Sequence, residues 1–123
     1  MVYLVKRMSN LIEKKTYYSN LYSFYGNLLT EKQQEIFIAY YEEDYSLSEI
    51  AESFEISRNA VHDTLKKVCK NLEYFESKLE LLKKSSLREE LFNKYNNEYT
   101  KELIEKLKEM EWVKCLLKVY QNV

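Results

Sequence analysis

The stretch "ISRNAVHDTLKK", residues 56–67, concentrates the side chains whose types and spacing carry chemistry. Wound into a helix of 3.6 residues per turn, it turns Ser57, Arg58, Asn59, His62, Asp63 and Lys66 outward, and Lys67 lies beside them. Arginine and asparagine are the side chains that read guanine and adenine edges bidentately, and lysines take phosphates. Asp63 would be welcome only at a cytosine amino group. The expected DNA-binding residues are therefore Ser57, Arg58, Asn59, His62, Asp63, Lys66 and Lys67. Arg58, Asn59 and His62 are the base readers, and Lys66 and Lys67 hold the backbone.

No catalytic constellation accompanies them. The chain has no glycine-rich phosphate loop and no paired carboxylates in a recognisable frame. Its two cysteines, Cys69 and Cys115, lack CxxC companions, and with a single histidine they do not make a zinc site. His62 and Asp63 are sequence neighbours, which diverge on a helix rather than converge on a cleft. The sequence reads as a non-enzyme without cofactor or metal. The thiols read as small, reduced and partly buried.

The elements that must position these residues are helices. In 123 residues there is one glycine, Gly26, and no proline, whereas strands need turns that draw on both. Leu21, Phe24, Tyr25 and Leu28 fall on one helical face. "TEKQ" from Thr30 is a capping box opening a second helix, with Ile36, Phe37, Tyr40 and Tyr41 as its apolar positions. That helix should end at Glu42-Glu43-Asp44, because acids oppose the negative end of a helix dipole. Ser46 and Glu49 form another capping box before a short helix anchored by Ile50, Ala51 and Phe54. Glu55-Ile56 makes the turn, with Glu55 at the place usually held by a glycine of positive φ. Ser57 then caps the helix bearing the polar face.

That helix meets no breaker until at least Lys84. Val61, Leu65, Val68, Leu72, Phe75, Leu79 and Leu82 form a heptad-like stripe along it. Its first half can pack on the small helices before it. The half from Leu72 to Leu82 needs the N-terminal helix, the C-terminal helix or a second copy of the chain. Ser86 is a candidate cap for a new helix, and Asn96-Asn97 is the expected break. A last helix from about Thr100 would bury Leu103, Leu107, Met110, Val113 and Leu117, with Trp112 off that stripe. Leu4, Met8, Leu11 and Ile12 suggest an amphipathic turn or two at the other end.

Charge tempers the nucleic-acid reading. Formal net charge is −1. Residues 1–30 carry four bases against Glu13, and residues 31–45 carry five acids against Lys32. Between Ser46 and Leu72, Glu49, Glu52, Glu55 and Asp63 cancel four bases. Non-specific affinity comes from phosphate neutralisation, so a monomer should bind weakly and a dimer is expected. The acidic run at Glu42-Glu43-Asp44 reads first as a solvated loop, and otherwise as a patch for a basic partner surface. Most of the twelve tyrosines sit at core positions rather than on a base-stacking platform. Lys and Glu interrupt every apolar run, and the opening "MVYLVKRMSN" lacks the order of a secretory signal. A cytoplasmic protein without a membrane span is expected.

"SLSEIAESFEISRNAVHDTLKK" resembles region 4 of the bacterial sigma factors, a helix-turn-helix that reads promoter DNA. The blocks "FYGNLLTEKQ", "YYEEDYSLSEIAE" and "ISRNAVHD" carry a wider resemblance, over roughly residues 17–84, to the YlxM family. These are small bacterial proteins encoded beside signal-recognition-particle genes. His62 departs from the tyrosine expected there, and residues 1–15 and those after about Asn93 lie outside the resemblance. It implies a DNA-binding regulatory protein of the helix-turn-helix type with a part in the signal recognition particle pathway. The alternative is an adaptor or modulator that acts on a signal-recognition-particle protein or its RNA, without DNA.

Fold class is accordingly all-α. A helix bundle carries a sigma-region-4-like helix-turn-helix at about 46–70, followed by a long C-terminal helical extension. Residues 1–16 form an N-terminal extension, 17–84 the helix-turn-helix domain with its long following helix, and 85–123 the C-terminal extension. The expected partners are DNA, a signal-recognition-particle component, and a second copy in a homodimer.

Overall fold

A computed structural model describes the backbone of residues 2–110 and the side chains of residues 9–110. The readings on the Leu4 and Met8 side chains, and on Trp112, Val113, Cys115 and Leu117, lie outside these residues. The described elements are all helical, with no strand among them. They are α1 (Val2–Tyr25), a 3₁₀ turn (Gly26–Leu28), α2 (Glu31–Tyr41), α3 (Leu47–Ser53), α4 (Arg58–Leu79) and α5 (Leu81–Tyr95). Residues 101–110 are also helical and are called α6. The chain divides into two compact units at Leu82/Lys83.

In the first unit each short helix starts where a side chain replaces a missing helical acceptor. Thr30 Oγ1 accepts from Gln33 N at 3.3 Å, and Gln33 Oε1 accepts from Thr30 N at 3.1 Å. Ser46 and Glu49 make the same reciprocal pair at 3.1 and 3.3 Å. Ser57 Oγ accepts from Ala60 N at 3.0 Å. All three caps stand where the sequence puts them. The acidic run ends α2 as expected, with Asp44 left-handed at φ 57°. The N-terminal residues form not a turn or two but the start of the single helix α1.

Helix α4 is the axis of this unit, touching α1, α2 and α3. Val61 and Leu65 sit in one core with Ile36, Ala39, Ile50 and Ala51, which seats the helix-turn-helix. Two turns further on, Val68 and Leu72 enter a second core with Tyr18, Leu21, Tyr25, Leu29 and Phe37. Burying each such aliphatic side chain stabilises by about 1.5–3 kcal/mol. Tyr41 packs against both cores. The partner that the lower stripe needed is thus α1, with Phe75 against the Tyr25 ring at 5.9 Å. Leu28 departs from the expected buried face. The 3₁₀ turn leaves it 60% exposed and buries Leu29 in its place. That turn needs Gly26, because a Cβ there would lie 2.8 Å from the Tyr22 ring.

The uninterrupted helix expected to Lys84 is corrected at Glu80, which is left-handed at φ 53° and ends α4. Such a residue costs about 1–2 kcal/mol. Tertiary hydrogen bonds offset it. Tyr25 Oη accepts from Leu81 N at 3.0 Å while donating to Glu76 Oε1 at 2.8 Å. Glu76 Oε1 also accepts from Leu82 N at 2.9 Å. The first N–H groups of α5 are therefore satisfied by a tyrosine from α1 and a carboxylate from α4. Ser86 lies inside α5 and caps nothing. The Tyr25→Phe variant should lose about 1–3 kcal/mol, the cost of stranding the Leu81 N–H and the Glu76 carboxylate. Urea unfolding measures this, and an unchanged midpoint would mean that packing alone holds the junction.

Two further phenols are held neutral. Burial, then a hydrogen bond to Glu73 Oε1 at 2.9 Å, pushes Tyr18 well above the ordinary value. Burial and the contact with Cys69 Sγ at 3.2 Å do the same to Tyr41. Folded-state values above the unfolded 10.0 mean that the native state keeps protons the unfolded chain releases. The stabilisation is therefore complete below pH 10 and is lost as pH climbs above it. Absorbance at 295 nm and far-ultraviolet circular dichroism, followed together, should show these phenols ionising only as helix is lost. Their ionisation with helix intact would contradict this.

In the second unit, the break falls at Asn96–Asn97 as read. Asn97 Oδ1 accepts from Tyr99 N at 2.9 Å and Thr100 N at 3.1 Å before α6 begins. Lys108 reaches Glu89 at 3.4 Å and lies 5.7 Å over the Phe92 ring, tying α6 to α5. The expected stripe of α6 is corrected. Leu103, Leu107 and Met110 are exposed, and the neighbouring Ile104 is the buried residue.

Candidate nucleic-acid interface

The turn between α3 and α4 is built from tight local bonds. Phe54 N donates to Ile50 O at 2.9 Å, and Ile56 N donates to Ala51 O at 3.0 Å. Glu55 takes φ 55°, the left-handed conformation expected of that place, which costs a residue with a Cβ about 1–2 kcal/mol. Ile56 and Phe54 pack beside the core on either side of it. Helix α4 therefore leaves the turn in a direction set by Val61 and Leu65 on its buried side.

All seven expected residues lie on the opposite, exposed side: Ser57, Arg58, Asn59, His62, Asp63, Lys66 and Lys67. Arg58 and Asn59 open the first turn of α4, where no acid is present. The positive end of the helix dipole and its free N–H groups favour an anion there. His62 and Lys66 follow at successive turns, so Arg58, His62 and Lys66 line one row, and Lys70 extends it. Ser57 is primarily a cap, since its oxygen is engaged by Ala60 N. Thr64 turns back to Ala60 O at 2.8 Å and takes no part in the surface.

Two features alter the sequence reading. His62 and Asp63 do not diverge as adjacent helical residues were expected to: Nδ1 and Oδ1 lie 3.8 Å apart, with both side chains exposed. When protonated, His62 neutralises the one acid on this face. The charge cancellation is also less local than the count suggests. Glu49 lines a cleft between α2 and α3 and is tied to the Ser46 cap. From Arg58 to Lys70, α4 itself carries four bases and only Asp63 against them. Cys69 is half-buried, and burial pushes its thiol up, so it is not a reactive group at this surface.

The sequence placed α4, its cap and its exposed polar face because capping and periodicity are local signals. It missed the α2–α3 cleft, of about 540 Å³, lined by Glu35, Ile38, Glu43, Tyr45, Glu49 and Phe54 among others. The acidic run signalled only its rim. Among the described residues, no group of histidine, cysteine and carboxylate side chains could hold a metal ion. No described helix is long and apolar enough to cross a membrane.

Three capped helices, the last with an exposed polar N-terminal face, define a helix-turn-helix protein. Residues 12–110 match the family described as "Putative helix-turn-helix protein, YlxM / p13 like". The chain is 43% identical over 112 residues to UPF0122 protein YlxM of Bacillus subtilis, covering 91% of this chain and 97% of that one. A UPF0122 protein of Thermoanaerobacter pseudethanolicus is 47% identical over 103 residues, 84% of each chain. One of Listeria monocytogenes is 45% identical over 91 residues, 74% of this chain and 83% of its own. The chain belongs to the UPF0122 family, whose model is that of a helix-turn-helix protein. The match runs beyond the span of 17–84 on which the resemblance was first read, reaching Met110.

Proposed function

We propose that this protein is a DNA-binding regulator that lays the N-terminal turns of α4 in the major groove. The observation that carries the reading is the exposed row of Arg58, His62 and Lys66, with Asn59 beside it, at an acid-free helix N-terminus. In helix-turn-helix recognition the N-terminal residues of the second helix meet base edges while the first helix crosses the backbone. Arg58 and Asn59 read purine edges, His62 joins them, and Lys66 and Lys67 hold phosphates. Ser57 fixes the start of the helix, and Asp63 selects against phosphate unless a cytosine amino group or protonated His62 meets it.

The working form is a homodimer, because a single face with four bases neutralises few phosphates. Leu72 and Phe75 of the lower α4 stripe pack against α1, whereas Leu79 stands exposed. The test is a titration of labelled duplex DNA from the region upstream of the protein's own gene, read by anisotropy at two salt concentrations. Light scattering of the free and bound protein accompanies it. Binding that survives excess random duplex supports a sequence-specific regulator. Absence of binding at low salt, where screening is weakest, would overturn it.

A further inference from the structure

We propose that the cleft between α2 and α3 is a docking groove for a basic, apolar-anchored helical segment of a partner protein. Its floor is apolar: Ala39 and Ile50 are buried, and Ile38 and Phe54 are partly open to the cleft. Tyr45 stands 48% exposed at its edge. At about 540 Å³ the groove has room for one or two large side chains of a ligand.

Its walls state the charge of the occupant. Glu35, Glu43 and Glu49 all line the groove, and no lysine, arginine or histidine does. Glu49 is committed to the Ser46 cap, but Glu35 and Glu43 form no ion pair with any described residue. Nearby Asp44 is partnered by Lys15 at 3.5 Å, so the neighbourhood neutralises its outer acid and leaves those of the groove open.

The acids also crowd the wrong end of a helix. Glu42, Glu43 and Asp44 follow the last turn of α2, which contains no base. An acid at a helix C-terminus faces the negative end of the dipole, which disfavours it. A cation arriving from outside reverses the sign of that interaction, meeting both the carboxylates and the negative end of the dipole. The loop is also well fixed. Glu42 N and Glu43 N both donate to Ile38 O, and Tyr45 N donates to Ala39 O at 2.9 Å. An occupant therefore meets a formed surface rather than having to order one.

These features select among occupants. Nucleic acid is repelled by the carboxylates, and a lone metal ion would not use the apolar floor. An amphipathic helix with large aliphatic side chains at i and i+4, flanked by lysine or arginine, uses both. Arg58, Lys66, Lys67 and Lys70 stand exposed along α4, so the chain presents a basic face there and a separate acidic groove.

The experiment uses the full chain and three labelled synthetic helical peptides: cationic amphipathic, the same composition scrambled, and anionic amphipathic. Anisotropy gives affinities, and nitrogen–proton correlation spectra of isotope-labelled protein locate the contact. The cationic amphipathic peptide should bind at least about tenfold tighter than the scrambled one. Its spectral changes should centre on Ile38, Glu43, Tyr45 and Phe54. The Glu35→Gln/Glu43→Gln double variant should weaken it about tenfold or more and leave duplex DNA binding intact. Because all three side chains are exposed or at the rim, that variant and a separate Tyr45→Ser variant should melt as the wild type does. Equal binding of the scrambled peptide would overturn the proposal, as would spectral changes elsewhere. So would no binding of the cationic amphipathic peptide, or an unchanged affinity in both variants.

Discussion

Arg58→Ala should lower affinity for the specific duplex by about one to two orders of magnitude, the effect of a lost bidentate base contact worth about 1–3 kcal/mol. The fold has no stake in this side chain. Arg58 is exposed in the first turn of α4, and the cap beside it runs from Ala60 N to Ser57 Oγ without it. Alanine is also the better helix former, so the melting temperature should hold or rise slightly. Salt dependence separates the roles within the face. A phosphate contact carries a slope of about −0.9 per charge in log affinity against log salt. Lys66→Ala and Lys67→Ala should each flatten that slope and weaken all duplexes alike. Arg58→Ala should instead shrink the gap between specific and random DNA. Unchanged discrimination after Arg58→Ala would remove base reading from this residue.

The face could be read from the sequence because everything that builds it is local. The Ser46 and Ser57 caps, the spacing of Ile50, Ala51, Val61 and Leu65, and the left-handed turn at Glu55 are all written within a few residues of one another. The same holds for the end of α2 at its acidic run and for the break at Asn97. One local feature was missed. Leu28 and Leu29 exchange roles because the chain tightens into a 3₁₀ turn at Gly26, against the Tyr22 ring one turn earlier. A uniform helical pattern does not encode that change of period. Features decided by contacts between distant segments were not legible. Glu80 ends α4 because a tyrosine 55 residues earlier supplies an acceptor to the next N–H. The α6 register slipped by one position, from Leu103 to Ile104, since leucines on both sides satisfy the same apolar pattern. The cleft lies between α2 and α3, and only its charge was visible from one of them.

The larger effect belongs to a residue that touches no partner. Phe37→Ala should destabilise the first unit by about 3–5 kcal/mol, a substantial part of the stability of a small domain. Phe37 is fully buried, stacked between Tyr22 at 4.5 Å and Tyr41 at 4.3 Å. Tyr22 belongs to α1, and Tyr41 reaches Cys69 of α4 as well as both cores. Removing the ring leaves a cavity walled by aromatic side chains, which collapse poorly because each is tethered elsewhere. Tyr18 meets Tyr41 edge-on at 6.0 Å and is bonded to Glu73. The strain therefore passes to the contact between α1 and α4. The N-terminal half of α4 is seated by a different set, Ile36, Ile50, Ala51, Val61 and Leu65. Two observables follow from that separation. Chemical denaturation should show a much lower midpoint, while DNA affinity measured well below the transition should fall only by the fraction unfolded. If affinity instead collapses while the chain is still folded, the two cores act as one, and α1 is part of what aims the reading helix.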